Sequence, residues 1–309
     1  MSSTASTQQA DSGDGTQGNA HTGIVRVGTA GWSYDDWNGT MYPKPMPRGV
    51  DRLEYVARYF GTVEINSTFY RPATTSMAEG WVEKTRAFPD FRFTAKLWQR
   101  FTHERAEAWT RSEVTEARAA FDVLQGGGKL GALLIQFPWS FRRTDENRAW
   151  LGDVVNAFRD YPLVVEIRHE SWNVPEFYEH LSEAGVGFVN VDQPLFKHSI
   201  KPSATVTSPV GYVRVHGRNY KNWFRKDADV KERYDYLYSA DELKPWVERT
   251  EEVAEVARET YVVMNNHHKG QAAVNAAMFE SLLEQRKVEV PETLYENYSG
   301  ELAPYAVPA

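Results

Sequence analysis

Short runs of β-branched and other apolar residues recur along this chain, and most of the intervals between them can hold one helix. Eight runs are readable: 24–30, 62–66, 91–96, 132–137, 163–168, 187–192, 211–216 and 261–265. Between them apolar residues fall at helical spacing. Leu53, Val56, Ala57 and Phe60 form one stripe. Val114, Ala117, Phe121 and Leu124 form a second, and Leu151, Val154, Val155 and Phe158 a third. Leu243, Trp246, Val247, Ala254 and Ala257 mark a long helix, opened by a capping box of Ser239 and Glu242. Val274, Ala277, Met278 and Leu282 give the last. The stretch 77–87 after the second run is weakly patterned. Residues 193–210 contain Pro194, Pro202 and Pro209 and no helical stripe.

Strands alternating with helices imply parallel pairing and right-handed crossovers. Eight such units predict an α/β fold: one (β/α)₈ TIM barrel, with an irregular connection between strands six and seven. A doubly wound open sheet is the competing architecture. It has no reason to stop at eight units, and no glycine-rich turn follows the first strand. Gly126–Gly128 precedes a strand and reads as a helix terminator. The barrel is expected over residues 24–295, with a disordered N-terminal tail over 1–23 and a C-terminal tail over 296–309.

Composition narrows the function classes. The chain of 309 residues is 41% hydrophobic and 25% charged, as a globular domain requires. Its net charge is 35 − 42 = −7, which disfavours broad nucleic-acid binding. With no cysteine, disulfides, thiol nucleophiles and cysteine-based zinc sites are excluded. No run approaches the about 18 apolar residues of a membrane span. Residues 1–23 carry no Lys or Arg and no apolar run, so the expected location is cytoplasmic.

A barrel places its active site at the C-terminal ends of the strands. Here those ends are polar: Glu64 and Asn66, Lys96, Gln136, Glu166 and Arg168 followed by His169, Asp192, Arg214 and His216, and Asn265 with Asn266. Side chains alternate faces along a strand. Val63 and Ile65 oppose Glu64 and Asn66. Val165 and Ile167 oppose Glu166 and Arg168, Val189 and Val191 oppose Asn190 and Asp192, and Val213 and Val215 oppose Arg214 and His216. Placing the apolar set toward the helices sends the polar set into the barrel in all four strands. The inward charges then balance three to three: Glu64, Glu166 and Asp192 against Lys96, Arg168 and Arg214. A self-satisfied ionic plug is the bland alternative. A barrel built only for stability fills its interior with Val, Ile and Leu, so the polar ends favour a functional mouth.

The loops at these ends are aromatic. They hold Trp32, Tyr34, Trp37 and Tyr42, then Phe69 and Tyr70, Trp98 and Phe101, Trp139 and Phe141, and Trp172. After strand seven come Tyr220, Trp223, Phe224, Tyr234, Tyr236 and Tyr238. Flat rings beside polar groups suit a sugar or a nucleobase, although packing of the loops accounts for such rings equally well. The loop 217–239 is long. It runs from basic (Arg218, Lys221, Arg225, Lys226) to acidic (Asp227, Asp229, Glu232, Asp235), as a lid or a solvated excursion would. After strand eight, Asn265-Asn266-His267-His268-Lys269-Gly270 enters a helix, where a helix N-terminus could hold phosphate. Glu64, Glu166, Asp192 and His216 are the alternative ligands for a divalent metal, but the neighbouring cations oppose it. Lys96 as a Schiff-base nucleophile rests on its position alone.

Several blocks also resemble one family. They are Val27-Gly28-Thr29-Ala30-Gly31-Trp32-Ser33-Tyr34 with Trp37, Gly39 and Tyr42-Pro43, and Val63-Glu64-Ile65-Asn66-Ser67-Thr68-Phe69-Tyr70. Thr102-His103, Gln136-Phe137-Pro138, Glu166-Ile167-Arg168-His169-Glu170-Ser171-Trp172 and Val213-Arg214-Val215-His216-Gly217 continue the match. Asn265-Asn266-His267 and Gly270-Gln271-Ala272 close it. Over about residues 24–285 the chain resembles the YecE-like family (domain of unknown function 72). Ala30 and Met264 depart from its usual serine and aromatic. The resemblance implies a TIM barrel and leaves the reaction open.

The resulting expectation is a metal-independent acid/base hydrolase or lyase acting on a phosphate-bearing, sugar-like or nucleotide-like ligand. No cofactor is expected; a divalent metal is the alternative. Glu64 or Glu166 is the expected general acid or base, with Asp192 in the same set and His216 or His169 as the second proton-transfer group. Arg168, Arg214 and Lys96 hold the anion, aided by Lys269 and by the polar Asn66, Gln136, Asn265 and Asn266. Tyr34, Tyr70, Trp32 and Tyr236 offer rings, the last two as first choices for stacking. A metal-dependent phosphodiesterase or endonuclease-like enzyme, or a non-enzymatic nucleic-acid or metabolite binding module, are the alternatives.

Overall fold

Eight parallel strands run in chain order: Ile24–Ala30 (β1), Thr62–Ile65 (β2), Arg92–Lys96 (β3), Leu130–Gln136 (β4), Leu163–Glu166 (β5), Gly187–Asp192 (β6), Val210–Val215 (β7) and Glu259–Met264 (β8). Each pairs with its neighbour, and β1 pairs with both β2 (Gly28 with Thr62) and β8 (Gly28 with Val263), which closes the barrel. The computed structural model describes residues 23–221, 223, 225 and 233–309. Most of the expected N-terminal tail (residues 1–22) lies outside the described residues. So do Phe224, Lys226, Asp227, Asp229 and Glu232 of the long loop.

The expected helices form outside the barrel. Arg52–Ala57 buries Leu53 and Val56, and Arg111–Gly126 buries Ala117, Phe121 and Leu124. Asp145–Phe158 buries Leu151, Val154 and Phe158, and Ala240–Val256 buries Leu243, Trp246 and Val247. They pack on the outward strand residues Val63, Ile65, Val165, Ile167, Val213 and Val215 in one continuous core. Each such side chain, fully buried, contributes about 1.5–3 kcal/mol of transfer free energy. The Ser239–Glu242 capping box is formed. The weakly patterned stretch after β2 does become a helix, Thr75–Lys84, which buries only Ala78 and Trp81. No helix joins β6 to β7, as the prolines of 193–210 anticipate.

The barrel interior has its own cluster. Ala30, Ala132, Leu134, Val164, Tyr212, Tyr261 and Val263 fill it, together with Val189 and Val191. Tyr261 lies so close to Gly131 on β4 that a Cβ there would sit 2.2 Å from the phenol oxygen.

The parity of β6 is therefore the reverse of the one expected. Val189 and Val191 face inward, while Asn190 and Asp192 face out. The missing helix is the reason: an irregular segment covers this strand, and it presents backbone groups instead of an apolar stripe. Asn190 Nδ2 donates to the Thr205 carbonyl at 3.0 Å. Its Oδ1 accepts from Ser203 Oγ at 2.7 Å and from the Thr205 amide at 2.8 Å.

A second correction concerns the C-terminus. Residues 296–309 are folded, not a tail. Strands Val288–Val290 and Ala306–Pro308 pair in parallel around two short helices, and Leu294, Leu302 and Ala306 are fully buried. Tyr298 Oη donates to the Lys269 carbonyl at 2.8 Å, tying this unit to the loop after β8.

The β6 geometry makes a testable prediction. Asn190→Leu keeps the branched heavy-atom shape but strands the Thr205 amide and carbonyl, at about 1–3 kcal/mol per unsatisfied group. Thermal and urea unfolding should show a loss of about 2 kcal/mol or more. A neutral or stabilised variant would contradict the outward placement.

Candidate functional site

At the C-terminal mouth, side chains from strands on opposite sides of the barrel meet. Arg214 of β7 reaches Glu64 of β2, with Nη2 to Oε1 at 2.6 Å and Nε to Oε2 at 2.9 Å. Its Nη1 reaches Glu166 of β5 at 3.0 Å. Tyr212 Oη adds a hydrogen bond to Glu64 Oε2 at 2.8 Å. Arg168 donates through Nε to Glu166 Oε1 at 2.7 Å, and its Nη2 lies 3.1 Å from His216 Nε2. Asn265 Nδ2 lies 2.9 Å from His216 Nδ1. Glu64, Glu166 and His216 are fully buried, and Arg214 nearly so.

These contacts decide the protonation states. Burial pushes the Glu166 carboxyl up, but Arg168, Arg214 and His216 outweigh it and hold the group well below the usual carboxylate range. Burial, and then the charge of Arg168, lower the His216 imidazole to about 3. His103, at the mouth, falls to about 4 through burial and then the charges of Lys96 and Arg168. Both imidazoles are neutral at pH 7.

Lys96 differs from its neighbours. It ends β3 and lies with Nζ 3.7 Å from the centre of the Phe69 ring, and its ammonium makes no hydrogen bond or ion pair with the described residues. Burial, and then the charge of Arg214, lower it to about 7; Glu64 and Glu166 offset only part of this. Lys96 and Arg168 line two adjoining cavities of about 300 and 400 Å³, which also share Phe69, Tyr70 and Tyr234. The smaller adds Tyr34, Asn66, Ser67, Arg214, Asn265 and His267. The larger adds Gln99, His103, Gln136, Pro138, Trp139, Trp223 and Arg233.

Most of the expected site thus comes together: Tyr34, Asn66, Tyr70, Lys96, Gln136, Arg168, Arg214 and Asn265 line the cavities. Glu64, Glu166 and His216 lie just beneath them. Six expectations are corrected. Asp192 faces away from the interior and accepts from Arg218 at 3.0 Å and from Tyr238. His169 caps a short helical turn, accepting from the Ser171 amide at 3.1 Å. Trp32 packs edge-on against Trp81 in the outer layer. Tyr236 donates to Glu242 at 2.5 Å, outside both cavities. Asn266 faces out, where Nδ2 donates to the Tyr236 carbonyl and to Asn275, each at 2.8 Å. Lys269 is exposed, and its amide is already taken by Asp36 Oδ2 at 2.7 Å, so the protein's own carboxylate fills the expected phosphate position.

Two further consequences follow. With Asp192 outside, the interior charges are two acids against three bases. The proposed metal set of Glu64, Glu166, Asp192 and His216 does not assemble either. Asp192 is elsewhere, Arg214 stands between the two glutamates, and no metal-ligating group of three or more forms among the described residues. Phe69, His103, Trp139, Tyr234, Arg233 and His267 were not selected from sequence. Of these, Phe69, His103 and His267 lie within the family-like blocks and Trp139 and Tyr234 among the loop aromatics, whereas Arg233 has no sequence signal.

The chain and its closed barrel are matched by a known family. A family model described as a protein of unknown function, DUF72, matches residues 26–297. The chain belongs to this family. It is 28% identical over 275 residues to the UPF0759 protein YunF of Bacillus subtilis, covering 84% of this chain and 95% of that protein. It is 24% identical over 209 residues to the UPF0759 protein YecE of Escherichia coli K12, covering 67% and 68%. The crystal structure of a DUF72 family protein from Thermotoga maritima superposes with a TM-score of 0.73 at 35% identity, over 84% of this chain and 99% of that one. One from Enterococcus faecalis gives 0.72 at 27%, over 84% and 95%. No helix among the described residues is long and apolar enough to cross a membrane.

Removing Arg214 leaves the buried Glu64 carboxylate without a cation and Glu166 with Arg168 alone, a change of about 3–5 kcal/mol. Arg214→Met should show that loss in denaturant unfolding, and a loss below about 1 kcal/mol would contradict the cross-barrel pairing. His216 adds a pH dependence. Its folded pKa of about 3 lies below the unfolded 6.5, so the unfolded chain takes the proton first. Stability should therefore fall as pH drops from 6.5 toward 3, less steeply in His216→Gln; equal slopes would contradict this assignment.

Proposed function

We propose that the mouth of this barrel binds the anionic group of a small ring-bearing substrate between Lys96 and Arg168, and that Lys96 is the proton-transfer group of a hydrolase or lyase reaction. The observation that carries this reading is Lys96 itself. The side chain is half-buried at the mouth, and among the described residues its ammonium has no carboxylate partner. Both nearby carboxylates are committed, Glu64 to Arg214 and Tyr212, and Glu166 to Arg214 and Arg168. An anionic ligand would supply the missing partner.

The acid/base assignment moves accordingly. Glu166, held ionised by two guanidinium groups, is a poor proton acceptor and donates none near neutral pH. Its role is to orient Arg168 and Arg214. Lys96, poised at about 7, has both protonation states available at neutral pH, as general acid–base chemistry requires. Phe69, Tyr70, Trp139, Trp223 and Tyr234 give the cavity flat walls that suit a sugar or a base.

Calorimetric titration with a nucleoside monophosphate and with inorganic phosphate tests the reading. Lys96→Met should weaken both at least tenfold while leaving the fold intact by circular dichroism. In the wild-type protein, affinity should fall as pH rises through about 7 and Lys96 loses its charge. Binding that ignores both the substitution and the pH would refute the anion site. Binding without turnover of any phosphorylated compound would leave a metabolite-binding module.

A further inference from the structure

We infer that the substrate is a phosphodiester joining two ring-bearing groups, gripped by its internal anionic centre and not by a terminal phosphate. The inference rests on the anion site proposed above and adds the shape of what enters it.

Two observations converge. First, Lys96 and Arg168 border both cavities, of about 300 and 400 Å³, together with Phe69, Tyr70 and Tyr234. A terminal phosphate needs room on one side only, whereas a ligand that runs past the two cations fills both sides. Second, the two cavities differ in chemistry. The smaller offers the amides of Asn66 and Asn265 and the hydroxyl of Ser67, small polar groups suited to a hydroxyl-rich ring. The larger offers the rings of Trp139 and Trp223 with the amides of Gln99 and Gln136, suited to a flat, hydrogen-bonding base. A symmetric ligand end would not call for two such different walls.

The test is calorimetric titration of the full-length protein with thymidylyl-(3′→5′)-thymidine, thymidine 5′-monophosphate and inorganic phosphate. The diester should bind at least tenfold more tightly than the monophosphate. Asn66→Ala in the smaller cavity and Trp139→Ala in the larger should each lower diester affinity about tenfold, toward that of the monophosphate. Gln99→Ala is the second variant for the larger cavity should Trp139→Ala unfold. If the monophosphate and phosphate bind through Lys96 but the diester binds no more tightly, the diester inference falls and the anion site stands. If no phosphate compound depends on Lys96, both fall. A thymidine hexanucleotide separates the sources of such a diester. Affinity equal to that of the dinucleotide points to a small free diester, and tighter binding to a nucleic-acid strand.

Discussion

The guanidinium of Arg214 organises this barrel's mouth. It spans from β7 to the carboxylates of β2 and β5 in one planar fork, so three strands that are not neighbours are fixed relative to one another. Such a network contributes little net stability, because desolvation of the charges offsets their attraction. It does set geometry. With both glutamates committed to Arg214, Arg168 is oriented by Glu166, and His216 is enclosed between Arg168 and Asn265. The positions of the groups that line the cavities follow from this buried frame.

The same frame makes the mouth electropositive. Glutamates committed to guanidinium groups cannot also neutralise Lys96. The excess charge adds to burial in depressing Lys96, His103 and His216. Perturbed groups that cluster in a concave site are a mark of function. Here the three share a physical origin, desolvation beside a surplus of cations, complete at His216 and partial at Lys96 and His103. The chain as a whole is acidic, at −7, so the positive mouth is a local feature set against a repelling surface. That combination favours a small anion able to enter the cavity over a long polyanion lying across the outside.

Much of this was legible in the sequence. The alternation of strand and helix periods specifies the barrel, because each period reports a face that must be buried. In β2, β5 and β7 the inward polar set was read correctly from parity, since helices cover their outer faces and demand Val and Ile there. The same reasoning failed at β6, where valines alternate with Asn190 and Asp192 in an identical pattern. Parity says which residues share a face and not which face is inside; only the cover on the outer side decides that. The aromatic loops were legible as a class but not ring by ring. Trp37 donates to the His267 carbonyl and Trp172 to the Phe141 carbonyl, both as packing, while Trp139 and Trp223 line the cavity. The direction of a loop side chain depends on contacts distant in sequence, as with Asp36, which reaches across to fill the turn at Lys269.

The account stands or falls on the state of one side chain. Lys96 can be followed directly by NMR of its ε-carbon, with the resonance assigned by its loss in Lys96→Arg. The account predicts a midpoint near 7, and a rise in that midpoint when inorganic phosphate is added and supplies the missing counter-charge. A midpoint at the ordinary 10.5, unmoved by phosphate, would contradict it.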